Sequence, residues 1–421
     1  MLLYILQFWL FLELINFCIF IYIYTFKIKP KEHIVKHNAV KNIIDNIKKS
    51  TKDELISLIN TAIWYNLYDN NIKDINDLTR YEVILMLYNY IHATNYNPYK
   101  PLEEYSKKEK EDHDYIINLV DIIEKKCNIQ FKTNHKNIRY LFFEWGKNFI
   151  EFKVRPFFII FLIRLVTNII HFIMIKYYKC KYYKCNITGI GYLYSENNNY
   201  KKDLLFIHGF GIGYIPYIFK ILYLMKRFNV TIMILPEISY YNWYDDYMIY
   251  FPNIKNLQTS FYNYLEFRNI DKINVIAHSF GTYIYKILND INRFDKVILV
   301  DPIIFWIGSI QLLHHIENPD SYSTIESFIN YFVYNCIHIK YICYRYMWGH
   351  DFWIYDTKEI ETKNILIVLE ENDHVIASNK IYNFIKDKNI NYYLLKDARH
   401  TTVFLDNKYN KIFEEIIDFI E

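Results

Sequence analysis

Val275-Ile276-Ala277-His278-Ser279-Phe280-Gly281 is an apolar strand that runs straight into a small-x-Ser-x-small turn, with a helical pattern behind it. A serine hydroxyl is a poor nucleophile at neutral pH and must be presented beside a base and backbone donors. A tight strand-turn-helix elbow does this, and the small residues Ala277 and Gly281 let the turn pass close to its neighbours. Glycine is usual at the first small position, so Ala277 is a mild departure. Taken alone, the five residues also fit a helix N-terminus capped by Ser279. The stretches on either side decide between the two readings.

Downstream and upstream, β-rich runs alternate with helical segments: Leu204 to Ile207, Val230 to Leu235, Ile273 to Ile276, Val297 to Val300, Ile365 to Leu369 and Tyr392 to Leu395. Alternating strand and helix predicts an α/β fold with a mostly parallel central sheet flanked by helices. Ligands of such sheets bind at the carboxyl ends of the strands. Glu370-Glu371-Asn372-Asp373-His374 follows one strand, and Lys396-Asp397-Ala398-Arg399-His400 follows the last. The order Ser279, Asp373, His400 is that of a nucleophile-acid-base set in which each member stands just beyond a strand end. His400 would take the Ser279 proton, while Asp373 would fix the imidazole tautomer. Asp301, in Val300-Asp301-Pro302, is the alternative acid. His208-Gly209-Phe210-Gly211 follows another strand, and the backbone N–H groups of Phe210 and Phe280 are assigned as the oxyanion hole. His208 and His278 are expected to fill space and hold loops, with Glu370 and Glu371 as ordinary loop charges unless they gate the acid.

These motifs resemble the α/β-hydrolase superfamily over Ile187 to Glu421. More narrowly, Phe206 to Gly213, Ile276 to Thr282 and Val300-Asp301-Pro302 resemble a group of membrane-associated eukaryotic α/β hydrolases with a helical N-terminal extension. Leu78-Thr79-Arg80-Tyr81-Glu82 and Arg155-Pro156-Phe157 are compatible with that extension. The resemblance implies the α/β-hydrolase fold and a hydrolase, and it brings no substrate.

The rest of the 421-residue chain sets the context. Residues 1–26 are almost unbroken apolar sequence, roughly 39 Å as a helix against a hydrocarbon core of about 30 Å, and read as a transmembrane anchor. Lys27, Lys29 and Lys31 follow it, which puts the remainder on the cytoplasmic side. Glu13 and Asn16 are awkward there and suggest a helix partner or a position near the interface. Residues 27–153 read as a helical region opening on the capping box Thr51-Lys52-Asp53-Glu54. In 154–185, the apolar stretch Phe157 to Ile175 carries Arg164, Thr167, Asn168 and His171 on one helical face, as an interfacial helix would, with a second span as the other reading. The basic-aromatic tandem Lys176-Tyr177-Tyr178-Lys179-Cys180-Lys181-Tyr182-Tyr183-Lys184-Cys185 suits a membrane interface, and its cysteines are candidates for palmitoylation or plain free thiols. The hydrolase domain is 186–421, with an aromatic cap inserted at 303–362.

Net charge argues for neither nucleic acid nor a strongly acidic partner: 49 basic against 46 acidic residues leave +3, and no nucleic acid is expected. The six cysteines have neither disulfide-framework nor metal spacing, and neither a metal nor a cofactor is called for. The expectation is a membrane-anchored serine hydrolase acting on carboxylic esters, those of acyl lipids among them. Acyltransferase or thioesterase chemistry would use the same residues, and a non-catalytic, membrane-tethered interaction protein is the rival class.

Overall fold

The computed structural model describes residues 2–22, parts of 44–59, 75–92, 102–133, 156–196, 202–235, 238–239, 253–305, 333–345 and 353–421, a few single positions within these apart. Its centre is an eight-stranded sheet in the order β1-β2-β4-β3-β5-β6-β7-β8. The strands are β1 (Lys181–Lys184), β2 (Gly191–Tyr194), β3 (Asp203–Ile207), β4 (Asn229–Ile234), β5 (Ile273–His278), β6 (Phe294–Val300), β7 (Ile365–Glu370) and β8 (Asn391–Leu395). Only β2 runs against its neighbours β1 and β4, and every other pairing is parallel. Parallel strands buried on both faces read as continuous apolar runs, as β5, β6 and β7 do. β1 and β2 lie outside the β-rich runs of the sequence. KYYK and GYLY are short and aromatic, and β1 is mostly exposed, so neither carries the β-branched apolar signal. The sheet therefore starts at Lys181, inside the basic-aromatic tandem.

Side chains of each strand alternate between the two faces, and each face has its own core. Leu205, Ile207, Val275, Ala277, Leu299 and Ile367 belong to one, closed by Phe261 of α6 (Ile254–Arg268), Ile284 of α7 (Phe280–Leu288) and Ile381 of α9 (Ser378–Ile385). Leu204, Phe206, Ile276, Ile298 and Val368 belong to the other, covered by Ile221 of α5 (Ile218–Leu224) and by Phe413 and Ile416 of α11 (Asn410–Asp418). Between β8 and α11 lies the short α10 (Thr402–Leu405).

Ahead of the sheet stand α1 (Leu2–Tyr22), α2 (Arg80–His92), α3 (Lys107–Cys127) and α4 (Phe157–Lys176). Thr79 and Glu82 form a reciprocal capping box: the Thr79 N–H donates to Glu82 Oε2 at 2.8 Å, and the Glu82 N–H to Thr79 Oγ1 at 3.2 Å. Arg80 bonds Asp121 and Glu124, tying α2 to α3 over an apolar cluster that includes Ile44, Val83, Ile116 and Val120. Most of the expected cap at 303–362 lies outside the described residues. Within that interval, Phe305 pairs with Ile354 in an isolated bridge, and α8 (Ile337–Arg345) packs into the first core.

Among the described residues one helix, α4, is long and apolar enough to cross a membrane. The fully described apolar stretch of α1, Leu6–Ile19, is shorter.

Candidate active site

Strand order reverses around β3, which lies between β4 and β5, and the chain leaves the sheet in opposite directions on either side. A crevice opens at such a point beyond the strand carboxyl ends. Ser279 follows β5 there at φ 51°, ψ −121°, a left-handed conformation that costs a non-glycine residue about 1–3 kcal/mol. The surrounding backbone holds it: the Ser279 N–H donates to Val300 O at 2.9 Å, and the Thr282 N–H to Ser279 O at 2.9 Å. A Cβ on Gly281 would stand 2.3 Å from Ile207 O and 2.9 Å from His208 O, so only glycine lets α7 start this close to β3. One on Gly209 would meet Ser279 Cβ at 3.1 Å, which brings the loop carrying Phe210 against the elbow.

With this strand order, a strained serine elbow after β5 and a small-residue contact onto the β3 loop, the architecture is decided. The chain has the α/β-hydrolase fold. No family model matches it, and no curated protein matches it. Among solved structures it is similar to the carboxylesterase CesB (YbfK) of Bacillus subtilis, at 9% identity and TM-score 0.42, covering 62% of this chain and 98% of that one. It is also similar to the naproxen esterase of Bacillus subtilis, at 13% identity and TM-score 0.43, covering 62% and 98%. A third is a bacterial membrane phospholipase A, at 11% identity and TM-score 0.43, covering 61% and 92%. The fold assignment rests on this chain's own topology.

The structure brings Ser279, His400 and Asp373 of the hydrolase fold into one line. His400 Nε2 is 3.1 Å from Ser279 Oγ, and His400 Nδ1 is 2.7 Å from Asp373 Oδ2. Asp373 Oδ1 accepts the N–H groups of Val375 and Ile376 at 2.7 and 2.9 Å, which fixes the carboxylate with one oxygen left for the histidine. Burial works against a charged His400, but Asp373 and then Asp301 outweigh it and raise its pKa above the ordinary 6.5.

Phe280 is the first residue of α7, where the helix dipole favours negative charge at the N–H groups. The Phe210 and Phe280 rings stack with centroids 4.2 Å apart, joining the two segments assigned to the oxyanion hole. His208 is fully buried with Nδ1 2.8 Å from Gly209 O, and burial lowers it to about 4. His278 Nδ1 is 2.8 Å from the Tyr217 hydroxyl. Burial and the neighbouring His400 hold His278 well below its ordinary value, so it stays neutral and is no second base.

Asp301 is fully buried, at φ 45°, and its Oδ2 lies 3.7 Å from both His400 Nδ1 and His278 Nε2, beyond hydrogen-bond reach. Its Oδ1 accepts the Glu370 N–H at 3.1 Å. Glu370 is not the loop charge expected of it. It is the last residue of β7, fully buried, and its carboxylate accepts the N–H groups of Thr402 and Val403 at 3.1 and 2.6 Å, holding the turn behind His400. Burial pushes both Asp301 and Glu370 up. Sequence reasoning missed this role, and the only signal was the unbroken run ILIVLE, which carries Glu370 inside the strand. Glu371 instead pairs with Lys396 at 2.5 Å on the surface.

His278, Asp301 and His400 bring three ligand-capable atoms within 4.8 Å of one another. His400 is committed at Nδ1 to Asp373 and at Nε2 to Ser279, so a metal would have to break the line to bind. A separate cleft of about 640 Å³ between α5 and α11 includes neither Ser279 nor His400 in its lining.

Proposed function

We propose that the chain is a membrane-bound serine hydrolase that cleaves carboxylic esters, those of acyl lipids among them. The observation that carries this is the unbroken contact from Asp373 through His400 to Ser279 Oγ at a strained elbow. His400 Nε2 takes the hydroxyl proton as Oγ bonds the acyl carbon, and the carbonyl oxygen becomes negative beside the N–H groups of Phe210 and Phe280. Collapse breaks the ester C–O bond, and the leaving alkoxide takes the proton from His400. Water then gives a proton to His400 and attacks the acyl carbon, and Ser279 Oγ leaves with that proton. Asp373 keeps the imidazole proton on Nδ1 throughout.

The membrane part rests on exposed apolar surface. α1 exposes Leu6, Phe8, Leu10, Phe11, Leu14 and Ile21, and α4 exposes a second set. We read α1 as the anchor, with Lys27, Lys29 and Lys31 on the cytoplasmic side. A fluorophosphonate probe tests the chemistry: the intact chain should be labelled and Ser279→Ala should not. A folded wild-type chain that takes no label and hydrolyses no p-nitrophenyl ester would be an interaction protein instead.

A further inference from the structure

α4 is built inside out. A helix on a soluble body turns its apolar stripe inward and its polar face to water. Here Ile160, Arg164, Thr167 and Met174 form the buried stripe, and His171 continues it with Nδ1 3.3 Å from the Tyr214 hydroxyl and its ring edge-on to Tyr182 at 5.4 Å. Phe161, Leu162, Leu165, Ile169 and Phe172 face outward, Phe172 at 61% exposure, and Asn168, expected on the polar face with Arg164, is exposed beside them, one amide in an otherwise apolar surface. The charged residues of the helix are Arg164, which is buried against the body, and Lys176 at the end.

We infer that α4 lies along a lipid bilayer and not across it, its apolar face in the acyl region and its polar stripe on the hydrolase body. The inference deepens the membrane-bound part of the proposal above and does not depend on its chemistry. The body packs along the stripe from Ile160 to Met174, roughly 21 Å of helix, so an upright α4 would carry the body's own surface into hydrocarbon.

The flanks argue for lipid as the occupant. The helix ends on Lys176 and is followed at once by Tyr177, Tyr178 and Lys179, with Tyr177 76% exposed, and Lys184 stands further along the same tandem. Tyrosine and lysine sit well at headgroup depth, and lysines add attraction to anionic lipid. At the other end Glu13 of α1 accepts the Phe157 N–H at 2.8 Å and the Trp9 indole N–H at 2.8 Å, which sets α1 beside the start of α4. The tandem cysteines take no part: Cys180 and Cys185 are buried, and burial pushes the Cys180 thiol up to about 11. Tyr214 follows the loop that carries Phe210, so the lipid-facing helix rests directly behind the oxyanion segment.

Nitroxide depth measurement on the full-length chain tests this. Among the cysteines only Cys18 is exposed, so Cys18→Ser provides the background for Phe161→Cys and Phe172→Cys, each spin-labelled. These sites are separated by about 16 Å along the helix and share its outer face. On vesicles of phosphatidylcholine with phosphatidylserine, both labels should enter the acyl region at depths differing by less than about 8 Å, half the axial separation. A difference near the full separation means a span and overturns the inference. So do labels that stay in water, or a soluble dimer that shields them without lipid. Replacing Lys176, Lys179 and Lys184 by Gln should weaken binding to the anionic vesicles about fivefold for each lysine, with little change on phosphatidylcholine alone. Equal loss on both would remove the electrostatic part. Hydrolysis of a soluble p-nitrophenyl ester without vesicles reports the catalytic reading separately.

Discussion

Asp373→Asn should abolish turnover while leaving the fold intact. The asparagine carbonyl replaces Oδ1 and still accepts the Val375 and Ile376 N–H groups that hold the loop at 2.7 and 2.9 Å. The amide nitrogen then replaces Oδ2, 2.7 Å from His400 Nδ1, and it is a donor. It forces the imidazole proton onto Nε2, which points at Ser279 Oγ 3.1 Å away, and no lone pair is left there to take the hydroxyl proton. Loss of the correct tautomer in such a set costs about 10⁴ in kcat, or ~5.5 kcal/mol. Asp301→Asn is the control. Its Oδ2 lies 3.7 Å from His400 Nδ1 and makes no hydrogen bond to it, so that variant should stay within about tenfold of the wild type. Steady-state hydrolysis of a p-nitrophenyl ester and the rate of fluorophosphonate labelling both read the difference, with melting curves to show that each variant is folded. If Asp301→Asn loses the larger factor, the acid is Asp301 and the reasoning from hydrogen-bond geometry is wrong.

Gly281→Ala should destabilise the chain by about 1–3 kcal/mol in urea unfolding, because the new Cβ would lie 2.3 Å from Ile207 O, a backbone atom of a central strand; an unchanged midpoint would mean α7 can move away freely. Ser279→Gly should end turnover yet raise stability by about 1 kcal/mol, since glycine adopts φ 51° without strain; a lower melting temperature contradicts the strain argument. The acid limb of kcat/KM should have its midpoint above 6.5, because His400 must be neutral to accept the proton and Asp373 raises its pKa. The same shift has the opposite sign for stability: charged His400 adds stability below pH 6.5, and that gain is lost as pH rises through the folded pKa. An acid-limb midpoint below 6.5 would contradict the raised His400.

The apolar cores of β3 to β7 were legible because strands buried on both faces need continuous apolar residues, as in Ile365-Leu366-Ile367-Val368-Leu369, and the half-buried edge strand β8 was legible from its aromatic and leucine run Tyr392 to Leu395. β1 and β2 were not: KYYK at the edge is exposed, and GYLY, though buried, is four residues long with no β-branched side chain. Ser279, Asp373 and His400 could be listed from their places after strands, yet only the register that aligns β5, β7 and β8 puts them in contact. Glu370 looked like its neighbour Glu371 in the sequence. One residue of strand register separates a fully buried carboxyl from one on a surface lysine. The polar stripe of α4 was legible as a period, but a period alone does not say which face meets protein. The answer came from Arg164 and Thr167 being buried while Phe172 is exposed.

Two carboxyl groups face His400 Nδ1, and what holds each of them decides their division of labour. Asp373 receives two backbone N–H groups on one oxygen and the imidazole on the other, so both of its oxygens are held in place. Asp301 has the Glu370 N–H on one oxygen, while the other faces two imidazole rings at 3.7 Å without a hydrogen bond. It also shares its pocket with the buried carboxyl of Glu370, and two such groups this close resist double ionisation. Burial pushes both carboxyls of the pair up, which weakens the negative field of Asp301 on His400 without removing it. That matters for catalysis: two charged acids at Nδ1 would raise the imidazole further and weaken its ability to release the proton to the leaving group. Glu370 meanwhile pins Thr402 and Val403, so the pair both limits the field on His400 and fixes the turn that carries it.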